Sequence, residues 1–204
     1  MAYVSAEDRR RRIIEAAIDV IATEGLSRAT TRRIADRAEA PLGALHYCFR
    51  NKDEMMELVL AQGSSTIQAA FEPVDPTAGV EATIRAAVTA YWRWIRDNLG
   101  LNLAMMELLM WEIRRDKHGK AFYDAVNDPY GGQLLRDKIA AAAELEGVTL
   151  EVSPREIVRF MIHRFDGLVF EYAASRSKAA CERQAVLLAD ALIAISQPKV
   201  AATS

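Results

Sequence analysis

Residues 30–55 read TTRRIADRAEAPLGALHYCFRNKDEM, and the fold turns on how that stretch is parsed. Two short helical patterns flank a turn. Thr30 is a good N-cap, Ile34, Ala35 and Ala38 recur on one face, and Pro41 suits the first turn of a following helix with Leu45, Cys48 and Phe49 inside. The connection has the length of a helix-turn-helix. A pair this short buries little apolar surface by itself and has to lean on neighbouring helices. Upstream, Ser5 and Asp8 occupy capping-box positions, Ile14, Ala17, Ile18 and Ile21 keep helical spacing, and Gly25 closes that helix. Downstream, a fourth helix is expected from Asn51 toward Phe71, before Pro73 and Pro76 interrupt the chain.

The outward residues of the pair suit a nucleic-acid partner. Gly43 and Ala44 would let the backbone approach base edges, and Leu42 offers an apolar contact to a thymine methyl. His46, Tyr47 and Lys52 can reach phosphates, Lys52 from the positive end of the fourth helix. Thr30 and Thr31 present hydroxyls and backbone N–H groups, and Arg32 carries a fork-shaped donor suited to guanine. An ordinary helical corner, with capping threonines and solvated arginines, uses the same residue types. The run Arg9 to Arg12 is equally divided between gripping phosphates and solvating the first helix beside Glu7, Asp8 and Glu15.

Charge supports the asymmetry. Residues 1–52 hold 10 Lys and Arg against 7 Asp and Glu, and the rest of the 204 residues hold 16 against 21. With 51% hydrophobic residues there is ample material for a core. Cys48 and Cys181 form no CxxC and have no ligand-spaced histidine, so neither a metal site nor a disulfide is expected. The N-terminus has charges where a signal peptide needs its apolar core, and no run approaches the ~20 apolar residues of a membrane span, so a cytoplasmic protein is expected. Catalytic signatures are missing too: no nucleophile elbow or phosphate loop, and His46, His118 and His163 stand far apart. Neither an enzyme nor a cofactor is expected.

Beyond the fourth helix the periodicity stays helical. ATIRAAVTAYWRWIRDNLG, LNLAMMELLMWEIRRDKHG and a longer pattern from Lys120 to Glu146, interrupted at Pro129, Gly131 and Gly132, read as core helices. Ser153, Pro154 and Glu156 then set a capping box before a helix with Val158, Met161, Ile162, Phe165, Val169 and Tyr172 on one face, widened by Ile157, Phe160 and Leu168. The last pattern, Ala179 to about Ile195, places Val186, Ala189, Leu192 and Ile193 together. Two helices this apolar exceed what one small core needs, so they are expected to pair with a second copy. Tyr91, Trp94, Met106, Met110, Trp111 and Phe122 either fill the core or line a cavity for a bulky apolar or aromatic ligand. His163 and Asp166 form a polar stripe with Arg159 that serves either a pocket or the dimer seam.

T-x-R-x-I-A at residues 30–35, G-x-L at 43–45, the run from Tyr47 to Phe49 and N-K-D-E at 51–54 together resemble the DNA-binding domain of TetR-family transcriptional regulators. DGLVFEY at 166–172 is similar to that family's C-terminal domain. The resemblance implies an all-α chain of about nine helices, with a three-helix DNA-binding domain over 1–53 and a larger helical ligand and dimerisation domain over 54–204. It also implies a homodimer on a palindromic operator, released by a small-molecule effector. By the same resemblance Arg32 contacts a base, Thr30, His46, Tyr47 and Lys52 contact phosphates, and Leu42 to Ala44 meet base edges. Four positions depart from the family's pattern: Glu39 replaces a turn glycine, Pro41 a serine, His46 a tyrosine and Cys48 an aromatic. A helical ligand-binding protein with a degenerate head is the competing expectation.

Overall fold

The computed structural model describes residues 5–115, 132–196 and 199–200, and of Lys52, Arg115, Lys199 and Val200 only the backbone. Phe122, Tyr123 and His118 lie outside the described residues. Within them run nine α-helices: α1 Ala6–Glu24, α2 Thr31–Arg37, α3 Leu42–Cys48, α4 Lys52–Phe71, α5 Val80–Asp97, α6 Leu99–Arg115, α7 Gly132–Glu146, α8 Pro154–Ser175 and α9 Lys178–Ser196. A two-residue antiparallel ladder pairs Val148–Thr149 with Lys199–Val200. The all-α expectation and the N-terminal three-helix arrangement hold. Described residues fall into two compact units, 5–63 with 100–115, and 64–99 with 132–196 and 199–200.

In the first unit, α1 begins where Ser5 Oγ accepts the Asp8 N–H at 3.0 Å and donates to its carboxylate at 2.8 Å, satisfying one of the helix's orphan donors. Its buried row is Ile13, Ala16, Ala17, Val20 and Ile21. Ile14 and Ile18, expected inside, are half-buried. The sequence offers several adjacent apolar rows, and α1 packs on both α2 and α3, so the position of those two helices selects the row. Ile34 and Ala35 of α2 and Leu45 of α3 are fully buried against it, with Phe49 just beyond α3. Pro41 is the N-cap of α3, one residue outside the first turn where it was expected.

The end of α2 explains the Glu39 departure. The Ala40 N–H reaches the Ala35 carbonyl at 3.0 Å and the Glu39 N–H reaches that of Asp36 at 3.2 Å, the paired bonds of a Schellman cap. Glu39 holds the left-handed position of that cap, at φ 51°. A Cβ there costs about 1–2 kcal/mol that glycine avoids.

Residues 100–115 of α6 group with the same unit. Glu107 accepts the Leu26 N–H at the start of the Leu26–Arg28 turn, and Met105 packs where any side chain on Gly63 would sit.

The second unit is held by caps that cross between helices. Glu146 of α7 accepts the first N–H of α5, from Val80, at 2.8 Å. Lys138 Nζ donates to the carbonyls of Glu72 and Val74 at 2.9 and 2.6 Å, answering the groups freed as α4 ends. Arg85 of α5 reaches Asp190 of α9 at 2.7 Å. Ser153 caps α8 through the Glu156 N–H at 3.2 Å, with Pro154 first in the helix. Ile157, Val158, Met161, Phe165, Leu168 and Val169 form its buried face, while Ile162 and Tyr172 are half-buried. In α9 the core residues are Cys181, Ala185, Ala189, Leu192 and Ser196. Val186, expected inside, is 58% exposed and Ile193 half-buried. Small residues let α9 come close to α5 and α8, and that turns the β-branched Val186 outward.

Glu39→Gly is expected to raise the stability of the head by about 1 kcal/mol, read as a higher urea midpoint at unchanged slope. An unchanged or lower midpoint would mean that the left-handed residue carries no strain.

Candidate functional site

The turn between α2 and α3 presents the residues singled out above. Thr30 is exposed and its hydroxyl accepts the Arg33 N–H at 3.2 Å, so one capping bond fixes the start of α2. Thr31 is half-buried beside it. The three arginines of α2 divide by role. Arg33 and Arg37 both pair with Glu24 of α1, Arg37 also with Asp19, and the Glu24 side chain is only 14% exposed. Arg32 is exposed and, among the described residues, makes no ion pair. In α3, Leu42, Gly43, His46 and Tyr47 are exposed, Tyr47 at 80%, and Ala44 is half-buried. Leu45 anchors the opposite side, and Cys48, expected on the inner face, is half-buried.

Lys52 begins α4. The N-K-D-E sequence there caps the helix in a variant of the capping box: Asn51 Oδ1 accepts the Glu54 N–H at 2.8 Å, and Glu54 Oε2 reaches one residue past the N-cap to accept the Arg50 N–H at 2.8 Å. Glu54 also takes the Arg10 guanidinium at 3.2 Å, and Arg10 lies 5.2 Å from the Phe49 ring centroid. Arg11 pairs with Asp8 and, more loosely, with Glu15. Arg10 and Arg11 are thus engaged within the head, a use the motif alone left open.

The candidate effector residues fall in both units. Tyr91, Trp94, His163 and Asp166 come together in the second. Tyr91 is buried, stacks on Trp94 at 5.7 Å between centroids, meets the edge of Phe165 at 4.7 Å and tilts against Phe71 at 5.7 Å. Burial pushes its hydroxyl well above the ordinary tyrosine range, and the nearby Asp166 charge adds to the shift. Partial desolvation raises the Asp166 carboxyl even though its side chain is 52% exposed, opposed by His163, whose Nδ1 lies 3.8 Å from it. The Trp94 indole N–H is buried and finds no acceptor among the described residues. Phe165 and Phe71, the walls of this cluster, were not singled out as ligand residues, because an aromatic at core spacing carries no mark of it. Met106, Met110 and Trp111 lie on α6 in the first unit, Met110 exposed and the other two half-buried.

Beside this cluster α8 and α9 carry uncovered apolar side chains. Phe160, Phe170, Val186, Leu187 and Ile195 are exposed by 36–61%, and a shallow groove between the two helices runs past Phe160, Leu168 and Leu187. Among the described residues no helix is long and apolar enough to cross a membrane.

The sequence profile of the bacterial regulatory proteins of the tetR family matches residues 13–59. A nicotine-responsive transcriptional repressor of Paenarthrobacter nicotinovorans, HdnoR, is 31% identical over 176 residues, 85% of this chain and 88% of that protein. Similar folds are found in GusR of Salmonella enterica, at TM-score 0.74 and 16% identity over 93% of this chain and 95% of that one, and in a transcriptional regulator of Rhodococcus sp. Rha1, at 0.73 and 18% over 94% and 98%.

The capping box gives a pH test. The Arg50 N–H bond, joined by the Arg50 and Arg10 charges, holds the Glu54 carboxyl below its ordinary 4.5. A folded pKa below the unfolded one stabilises above about 4.5 and loses that contribution as pH falls through the lowered value. Glu54→Gln should therefore flatten the acid limb of stability below pH 4.5, read by urea unfolding across pH 3–7. An unaltered limb would show that Glu54 does not cap α4 in solution.

Proposed function

This chain belongs to the TetR family of bacterial regulatory proteins, and from that premise we propose that it is a ligand-responsive transcriptional repressor. It binds a palindromic operator as a homodimer and leaves it when a small organic effector enters the helical body. Residues 1–53 bind DNA and residues 54–204 bind the effector and the second copy. The observation that carries the reading is the division of labour in α2: Arg33 and Arg37 are held by acids of α1, while Arg32 stands free beside an α3 whose outer face is Leu42, Gly43, Ala44, His46 and Tyr47. In that role Arg32 reads a base, Leu42 to Ala44 lie against base edges, and Thr30, Thr31, His46, Tyr47 and Lys52 meet phosphates.

The second copy docks on α8 and α9, where five large apolar side chains stand uncovered. A palindromic operator then calls for two α3 helices ~34 to 36 Å apart, the spacing of successive major grooves on one face of a duplex. The relative's name supports control by a small molecule. The effector site is drawn from Tyr91, Trp94, His163 and Asp166 of the second unit. The protein acts in the cytoplasm, and nothing in the site suggests catalysis.

Arg32→Ala should cost about 1–3 kcal/mol of discrimination at one base pair of each half-site, read by gel shift against operator variants. Wild-type affinity should also fall steeply with salt, as phosphate contacts require. Arg32→Ala binding every variant as the parent does would favour the degenerate-head reading.

A further inference from the structure

The short helix α3 is anchored from its C-terminal end. Pro41 stands at its N-cap with no side-chain bond, and its one fully buried residue is Leu45. Just past its last turn the Phe49 N–H still reaches the Leu45 carbonyl at 3.0 Å, and the Phe49 side chain is 2% exposed. Whatever holds Phe49 therefore sets the direction in which α3 presents Leu42 to Tyr47.

One side chain of α1 reaches both Phe49 and the chain that follows it. The Arg10 guanidinium lies 5.2 Å from the Phe49 ring centroid, and its Nη2 donates to Glu54 Oε1 at 3.2 Å. The other oxygen of that carboxylate accepts the Arg50 N–H at 2.8 Å and Arg50 Nε at 3.2 Å. Arg10 thus touches the end of α3 directly and the connection to α4 through Glu54. The two arginines on Glu54 are unequal, since the Arg50 side chain is 87% exposed and that of Arg10 42%. Solvent screens the more exposed pair, so Arg10 is the firmer hold. Its neighbour Arg11 pairs only with Asp8 and Glu15 of its own helix among the described residues, and ties nothing to α3.

A planar guanidinium can lie against a ring while its edge donates to a carboxylate, a combination that a lysine ammonium does not reproduce. Reaching for a DNA phosphate would cost Arg10 both contacts and leave Glu54 Oε1 without this donor. Resting on the repressor reading, we propose that Arg10 is a positioning residue for operator recognition, acting through Phe49 and Glu54 on the angle of α3 and not through a phosphate.

Fluorescence anisotropy with the full-length protein tests this on its own promoter fragment and on a scrambled duplex of equal length, across a range of salt. Arg10→Gln should weaken promoter binding about tenfold, keep scrambled-duplex binding within about threefold and leave its salt slope unchanged. Glu54→Gln should weaken promoter binding in the same sense, and the double variant should be little worse than either single one, because both act on one contact. A phosphate grip gives another pattern: Arg10→Gln weakens both duplexes alike and lowers the salt slope by about one, while Glu54→Gln removes a negative charge, frees the arginine and tightens binding. That pattern, additive losses in the double variant, or Arg10→Gln binding both duplexes as the parent does, overturns the inference. Thermal melts establish that each variant is folded at the assay temperature. Should Arg10→Gln not be, Arg10→Lys takes its place: a selective loss of about threefold on the promoter supports the positioning role, and unchanged promoter binding overturns it. A parent protein that binds its promoter no more tightly than the scrambled duplex loses the repressor reading itself.

Discussion

The head depends on the clamp that Glu24 makes on Arg33 and Arg37. α3 is seven residues long, too short to be stable by propensity or to set its own direction. Its placement follows from α2, and α2 is tied to α1 by Ile34 and Ala35 inside and by two guanidiniums converging on one largely buried carboxylate outside. An exposed ion pair contributes about 0–1 kcal/mol. A carboxylate with 14% exposure shared by two arginines is different, since removing its partners leaves a largely buried charge unpaired. The same pairing engages two of the three arginines of α2 and leaves Arg32, the side chain proposed to read a base, exposed, so one interaction both positions α2 and sets that arginine apart.

The caps around the clamp work to the same end. Thr30 fixes where α2 starts, the Schellman turn at Glu39 fixes where it stops, and the Asn51–Glu54 box fixes where α4 starts. Between those points the chain has little freedom, and the outer face of α3 is what remains exposed. In the second unit the logic reverses. α9 buries alanine, cysteine and serine so that it can approach its neighbours, and its larger apolar residues are turned outward, where a second copy can cover them.

Much of this was legible in the sequence because it is local. Ser5, Thr30 and Ser153 announce helix starts through bonds spanning three residues, and the structure places each cap at its expected position. What was not legible is tertiary. Which apolar row of α1 faces inward is decided by α2 and α3, so Ile13 and Val20 were missed and Ile14 and Ile18 taken in their place. Glu107 receives Leu26 from 81 residues away, a pairing no periodicity reveals. The site residues follow the same rule: the exposed face of the turn could be read from spacing, whereas the cluster around Tyr91 needed α4, α5 and α8 in place before Phe71 and Phe165 could be seen as its walls.

Hydroxyl-radical footprinting of the protein on its own promoter region reaches the central claim most directly. Two copies presenting α3 to successive major grooves should protect two short patches on one face of the duplex, ~34 to 36 Å apart and related by twofold symmetry. A single patch, or protection spread evenly around the helix, would contradict it.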